Sequence, residues 1–332
     1  MSETPGWRRH LPLLVLLVLT IGTFAQLWGV EFSWDDEALI KDNQVTHSLA
    51  NIGEFFTRDL WSTTRITTLK SGYYRPLMLI TLAVDRALYG LSSGWAHAHS
   101  LVWHLFAVAA LYMLLTKLVP RTSALAGAAL FALHPVQTEV LALVAARNDA
   151  MAAALTLTAL TLVIDPKERR PLRLVAAALA TLAALLSKES AVLAPLMLLA
   201  IDLGRNRKPS GWKRYAALLS AFVVYIPLRR LADLDAAISP SQDGINLVLS
   251  KLPEIIGVYG KLVVWPWPLT PARHLHYLPP AHETLLGAMV LFGALGWAVW
   301  KSERRGLVLA GIAWAALTWA PSLAATLDKG LL

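Results

Sequence analysis

The chain has 332 residues, 56% of them hydrophobic and only 16% charged. A soluble domain carries about 25% charge and 45–50% apolar residues, so the composition excludes an ordinary soluble globule and points to an all-α polytopic membrane protein. The net charge of +8 does not indicate nucleic-acid binding, because Lys and Arg collect in short loops between apolar runs. The absence of Cys excludes disulfides and thiolate metal sites.

The first apolar run is Leu11 to Val30. About 20 residues at 1.5 Å rise cross the roughly 30 Å hydrocarbon core of a bilayer. Arg8 and Arg9 precede it, which puts the N-terminus in the cytoplasm. With no clear small-residue cleavage site, the run reads as a retained signal anchor. Residues 31 to 95 then form a long outer segment, with amphipathic pieces at Leu49 to Phe56 and Pro76 to Tyr89 suited to lying along the interface. Later spans are expected at Ala96 to Leu118, Ser123 to Val136, Ala150 to Ile164, Leu174 to Leu186, Ala191 to Leu203, Tyr215 to Leu228, Leu285 to Trp300 and Leu307 to Ala320. Residues 229 to 282 are a second outer region, in which Val248 to Pro266 reads as a re-entrant or interfacial helix. The inner loops so assigned hold more than half of the 30 Lys and Arg, as the positive-inside rule requires. No repeat of 20–50 residues is visible, so residues 1 to 332 read as a single transmembrane domain.

The unusual polar residues fall on the outer side. Trp34-Asp35-Asp36-Glu37 stands where the first span emerges. Clustered carboxylates raise one another's pKa and an interfacial site adds desolvation, so one of them suits a base poised near neutrality. The plain alternative is a solvated cluster with Asp36 as a helix cap. Tyr74 and Arg75 precede an amphipathic helix, where an Arg at a helix start is unfavourable unless an anion is shared there. Its alternative is interfacial snorkelling. His134 ends the third span with Glu139 just beyond it. Arg147 and Asp149 open the fourth span, two residues apart, as a local ion pair would be. Lys188 and Glu189 occupy a tight turn between two apolar runs. His97 and His104 share a helical face, but no carboxylate completes a ligand set, so interfacial packing is favoured over metal binding. Trp265-Pro266-Trp267-Pro268 suits an interfacial anchor ahead of a sugar platform. Acids suit deprotonating a hydroxyl, cations suit a phosphate, and a membrane with many Trp suits a polyprenyl lipid. The combination argues for glycosyl transfer from a lipid-phosphate sugar on the outer leaflet.

Six of these motifs occur in a fixed order: Trp34-Asp35-Asp36, Tyr74-Arg75-Pro76-Leu77, the His97 to His104 segment, Phe131 to Glu139, Arg147-Asn148-Asp149 and Leu186-Ser187-Lys188-Glu189. In that order the chain resembles the transmembrane and tetratricopeptide-repeat O-mannosyltransferases, relatives of the protein O-mannosyltransferases in the GT-C superfamily. The resemblance covers residues 28 to 205 well and the Trp265 region weakly. It implies a GT-C-type helix bundle and a polyprenyl-phosphate-linked sugar donor. It places the catalytic acids on Asp35 and Asp36, with Asp35 as the base, and the donor phosphate on Arg75 and Arg147. Tyr74, His134, Glu139 and Lys188 join these as candidate substrate-binding residues. The chain departs from the family in having no tetratricopeptide repeats, and it stops soon after the last apolar run, as a minimal or truncated member would. The acceptor is then a hydroxyl of protein, lipid or glycan.

The expected activity is that of an inverting transferase in a bacterial inner membrane, its site facing the periplasm. The residues identify no cofactor, and three adjacent acids leave a divalent metal open. The rivals are a transporter or flippase of an anionic lipid-linked substrate, which would need mid-membrane charges and paired repeats, and a non-catalytic membrane scaffold.

Overall fold

The computed structural model describes residues 10–64, 71–165, 167, 170–205, 209, 211–232, 242–267, 269 and 281–329. Among these the regular structure is helical, with no strand. They gather into two compact units, one drawn from 1–194 and 211–235 and the other from 195–210 and 236–332.

The first unit carries α1 (Leu11–Phe24), α2 (Ile52–Phe55), α3 (Pro76–Tyr89), α4 (Ser93–Leu115), α5 (Arg121–Leu133), α6 (Gln137–Ala142), α7 (Arg147–Val163) and α8 (Pro171–Ser187), and after a passage through the other unit it ends in α10 (Trp212–Leu231). Two helical stretches among the described residues are long and apolar enough to cross a membrane: Leu11–Gly29, which is α1 with its closing turn, and α4. α5 and α8 are apolar but shorter; at 1.5 Å per residue, the 13 residues of α5 reach only about 20 Å.

Small side chains let these helices approach. Ala124, Ala128 and Ala132 recur every fourth residue on α5 and pack with Leu16 of α1 and Val108 and Tyr112 of α4. Such alanine stripes draw helix backbones together where apolar burial alone gives little drive inside lipid. A Cβ added at Gly94, where α4 begins, would lie 2.8 Å from the Trp28 carbonyl oxygen, so only glycine allows that crossing. Polar links at the ends set the helix directions: Arg147, opening α7, reaches Ala96 and Ser100 near the start of α4, so these two run parallel, and Arg214 near the start of α10 donates to the Val163 carbonyl closing α7, so α10 runs antiparallel to α7.

The segment expected outside, 31 to 95, folds over α3 in its described part. Phe32, Leu39, Ile40, Phe55 and Leu60 pack on Met78, Leu79, Leu82 and Ala83 of α3. Asp59 binds it internally, accepting from the Trp61 amide and the Ser71 hydroxyl, both at 2.9 Å. The piece expected as an amphipathic helix at Leu49 to Phe56 is a 3-10 turn, Leu49–Asn51, leading into the four-residue α2. By contrast, α3 covers the expected Pro76–Tyr89, opened by a proline whose missing N–H costs nothing at a helix start and closed by Gly90 at φ 66°.

The second unit carries α9 (Ala194–Gly204), α11 (Gln242–Ser250), α12 (Leu252–Val264), α13 (Ala281–Lys301) and α14 (Arg305–Lys329). The re-entrant helix expected over Val248 to Pro266 divides at Lys251 into α11 and α12. Pro253 is the reason: it lacks an N–H for the carbonyl four residues back and fits only the first turn of a new helix. Trp265 and Trp267 beyond α12 are exposed, while Pro268, residues 233–241 and 270–280 of the second outer region, and 206–208 of an expected inner loop lie outside the described residues.

Candidate functional site

The expected site residues all lie in the first unit, at helix ends and turns rather than along spans. The three acids after α1 part company. Trp34 takes a left-handed φ of 53°, and the chain then winds through a π turn at Glu37–Lys41. Asp35 faces solvent. Asp36 is fully buried, and its carboxylate accepts the amide N–H groups of Val144 at 3.1 Å and Ala145 at 2.7 Å. Glu37 pairs with Lys41 across one turn at 2.7 Å. The three therefore offer no common ligand set, and no group of three or more metal-binding side chains gathers among the described residues. Burial pushes the Asp36 carboxyl up to about 6, with the two amides pulling in the opposite direction. Asp36 thus anchors the acidic turn to the residues that open α7.

Arg147 was expected at the donor phosphate. It is instead fully enclosed and committed to protein. Its Nη2 meets Asp85 Oδ2 at 2.6 Å and the Ala96 carbonyl at 2.7 Å. Nε donates to Ser100 Oγ at 3.0 Å and Nη1 to Thr81 Oγ1 at 3.2 Å. Asp85 Oδ1 lies 2.5 Å from His99 Nδ1. Trp103 Nε1, which can only donate, points at His99 Nε2 at 3.2 Å, so the imidazole proton sits on Nδ1 facing Asp85. Four of the five N–H groups of this buried guanidinium are thus engaged by protein oxygens. It ties α3, α4 and α7 together directly beneath the turn that binds Asp36.

Arg75 sits at the N-cap of α3, its side chain largely buried. Its Nε donates to Glu189 Oε2 at 3.2 Å and its guanidinium lies 4.5 Å over the Tyr73 ring. Tyr74 is buried; its amide donates to Glu189 Oε1 at 2.8 Å and its hydroxyl to the Phe56 carbonyl at 3.0 Å. Burial pushes its phenol up to about 12. Lys188 pairs with Asp149 at the start of α7. Extended backbone at Lys188, φ −156° and ψ 139°, separates α8 from the following turn and sends adjacent side chains to opposite partners, Lys188 to α7 and Glu189 to α3. The pairing read from sequence between Arg147 and Asp149 is thereby replaced by two pairs across helices.

His134 and Glu139 stay at the junction of α5 and α6. His134 Nδ1 accepts the Val136 amide at 3.2 Å, and Glu139 is exposed. His97 and His104 are buried pins: His97 Nδ1 reaches the Leu141 carbonyl at 2.9 Å and His104 Nε2 the Ala132 carbonyl at 3.1 Å. Sequence reasoning passed over Asp85 and Arg229. Asp85 stands with Arg86 inside an apolar helix, a visible signal. Arg229, in the last turn of α10, looks like a routine interfacial cation until its contacts are seen.

Against other proteins, the chain is similar to several protein O-mannosyl-transferases. It is 27% identical over 214 residues to protein O-mannosyl-transferase F38B6.6 of Caenorhabditis elegans, a match spanning 63% of this chain and 30% of that protein. With protein O-mannosyl-transferase Tmtc1 of Drosophila melanogaster it shares 28% over 168 residues, half of this chain and 20% of the other. With protein O-mannosyl-transferase TMTC1 of Homo sapiens it shares 30% over 132 residues, 39% and 15% of the two chains. The chain therefore spans less than a third of the length of these relatives. No family model matches the sequence, and no solved structure matches it.

Proposed function

We propose that this chain is a multi-pass membrane glycosyltransferase of GT-C type. It transfers a mannose-like hexose from a polyprenyl-phosphate donor to a hydroxyl acceptor at the periplasmic face of a bacterial inner membrane. The reading rests on one observation: the acids after α1, Arg75 at the start of α3 and the Lys188–Glu189 turn converge on one end of the helical unit, tied there to the start of α7 and to one another. The similarity to named O-mannosyl-transferases supports the same activity.

In this reading Asp35, the solvent-facing acid, takes the proton of the acceptor hydroxyl as its oxygen attacks the anomeric carbon. The bond from that carbon to the phosphate oxygen breaks, with inversion. The leaving polyprenyl phosphate is already anionic, so it needs a cation more than a proton, and Arg75 supplies one. Asp36 and Arg147 are positioning residues. Asp36 holds Asp35 against the start of α7, and Arg147 holds that start in place. Two reactants confined to one membrane face gain much of their rate from proximity.

The test is sugar transfer by wild type and Asp35→Asn, at equal amounts of folded protein in lipid nanodiscs, over a panel of polyprenyl-phosphate sugars. A base contributes about 10²–10⁴ in rate, so transfer by the Asn variant should fall by that order while donor binding survives. Undiminished transfer would remove Asp35 as base. No transfer by wild type with any donor would end the glycosyltransferase reading.

A further inference from the structure

Arg229 lies in the last turn of α10. Its Nη2 donates to the Gly72 carbonyl at 2.9 Å, and its side chain also interacts with the Tyr225 hydroxyl one turn earlier. Its Nη1 is enclosed and makes no hydrogen bond. A helix C-terminus and one carbonyl explain why a cation is tolerated there. They do not explain a guanidinium N–H shielded from water without an acceptor, since enclosed donors are nearly always paired.

The surroundings are arranged for an anion. Gly72 and Arg75 are three residues apart, so their Cα atoms are separated by at most about 11 Å. Arg75 spends only Nε on Glu189, and among the described residues neither of its terminal nitrogens has a protein acceptor. Glu189 is occupied on both oxygens, by the Tyr74 amide and Arg75. Two arginines thus flank the segment 72–75, and the carboxylate bound there, Glu189, is already engaged. Tyr225, near both Glu189 and the two arginines, adds a hydroxyl, and its ring lies 5.9 Å from that of Tyr74.

We infer that Arg229 and Arg75 form a two-arginine clamp for a lipid-borne phosphate monoester, with the orphaned Nη1 of Arg229 as the donor that the phosphate completes. The inference rests on the proposed function and deepens it by adding Arg229 to Arg75 as a second ligand of the departing polyprenyl phosphate. A planar guanidinium pair spreads over several phosphate oxygens, which a lysine point charge does not. The Gly72 carbonyl fixes the orientation of Arg229 in advance, so little side-chain freedom is lost on binding.

The experiment measures binding, not turnover, so it separates from the test of the activity. Purified full-length protein in nanodiscs is titrated with a short polyprenyl monophosphate, with the uncharged polyprenol and with inorganic phosphate. Wild type and Asp35→Asn should bind the monophosphate alike. Arg229→Gln should weaken it by at least about tenfold, the scale of losing a charge-assisted hydrogen bond, and leave polyprenol binding unmoved. Arg229→Lys keeps the charge and one donor for Gly72, so it should fold like wild type and fall between the two. Unchanged affinity in both Arg229 variants would overturn the inference, as would equal weakening of phosphate and polyprenol, which marks a purely structural role. Inorganic phosphate binding as tightly as the lipid would overturn the assignment to a lipid-borne ligand. If wild type transfers no sugar yet binds the monophosphate through Arg229, the clamp stands and the glycosyltransferase reading falls.

Discussion

Asp36→Asn separates the two acids most sharply. The wild-type carboxyl is moved from its ordinary 3.8 to about 6 by burial, and that displacement corresponds to about 3 kcal/mol between its charged and neutral forms. The sign follows from proton binding. Folded protein holds this proton more tightly than unfolded chain, so unfolding releases it. Stability from this group is therefore full below 3.8 and is lost as pH rises through about 6. Asn cannot titrate. It can accept one of the two amides, Val144 or Ala145, but turns an NH2 toward the other, leaving one enclosed N–H unpaired at about 1–3 kcal/mol. Above pH 6 that cost is offset by no longer burying a charge, so the Asn variant should match wild type within about 2 kcal/mol. At pH 4 wild type has regained most of its 3 kcal/mol and the variant has not. The assay is thermal unfolding of both proteins in the same detergent across pH 4 to 7. The gap in midpoint should widen steadily on acidification, in favour of wild type. Parallel midpoints across that range would refute the burial of Asp36 against the α7 start. Taking the difference between variants cancels every other titrating group.

Two further outcomes follow from the same geometry. Arg147→Met should cost about 3–5 kcal/mol by leaving the Asp85 carboxylate enclosed without a counter-charge, read as a fall in unfolding midpoint, and Arg147→Lys should recover only part because Ser100, Thr81 and the Ala96 carbonyl were matched to a fork; a neutral Arg147→Met would remove the network from the stability of this unit. Single cysteines at Ser62 and Lys117 of this cysteine-free chain should react with an impermeant reagent from opposite sides of intact membranes, and equal labelling from one side would sink the proposed topology.

Much of the local structure was legible because it depends on neighbours in the chain. Hydropathy marked Leu11 to Val30 and the body of α4, and Pro76 with Gly90 bounded α3, since a missing N–H and a positive φ act on the backbone where they stand. The concentration of ionisable groups at one end was equally visible, because charges avoid the hydrocarbon core and fall at helix ends. Partners were not visible. Residues two apart on a helix point away from each other, so Arg147 and Asp149 could not be each other's counter-ions, yet the sequence does not say that Asp85 and Lys188 would replace them. Nor does it say which of two adjacent acids turns inward. Asp35 and Asp36 have the same chemistry and the same neighbours; the choice is made by the unpaired amides of Val144 and Ala145, more than 100 residues later, which need an acceptor once the turn before α7 is buried. Arg229 is the same case. Its place beside Gly72, 157 residues away, exists only when α10 has packed on α8, and only there does an ordinary interfacial arginine become an enclosed donor without an acceptor.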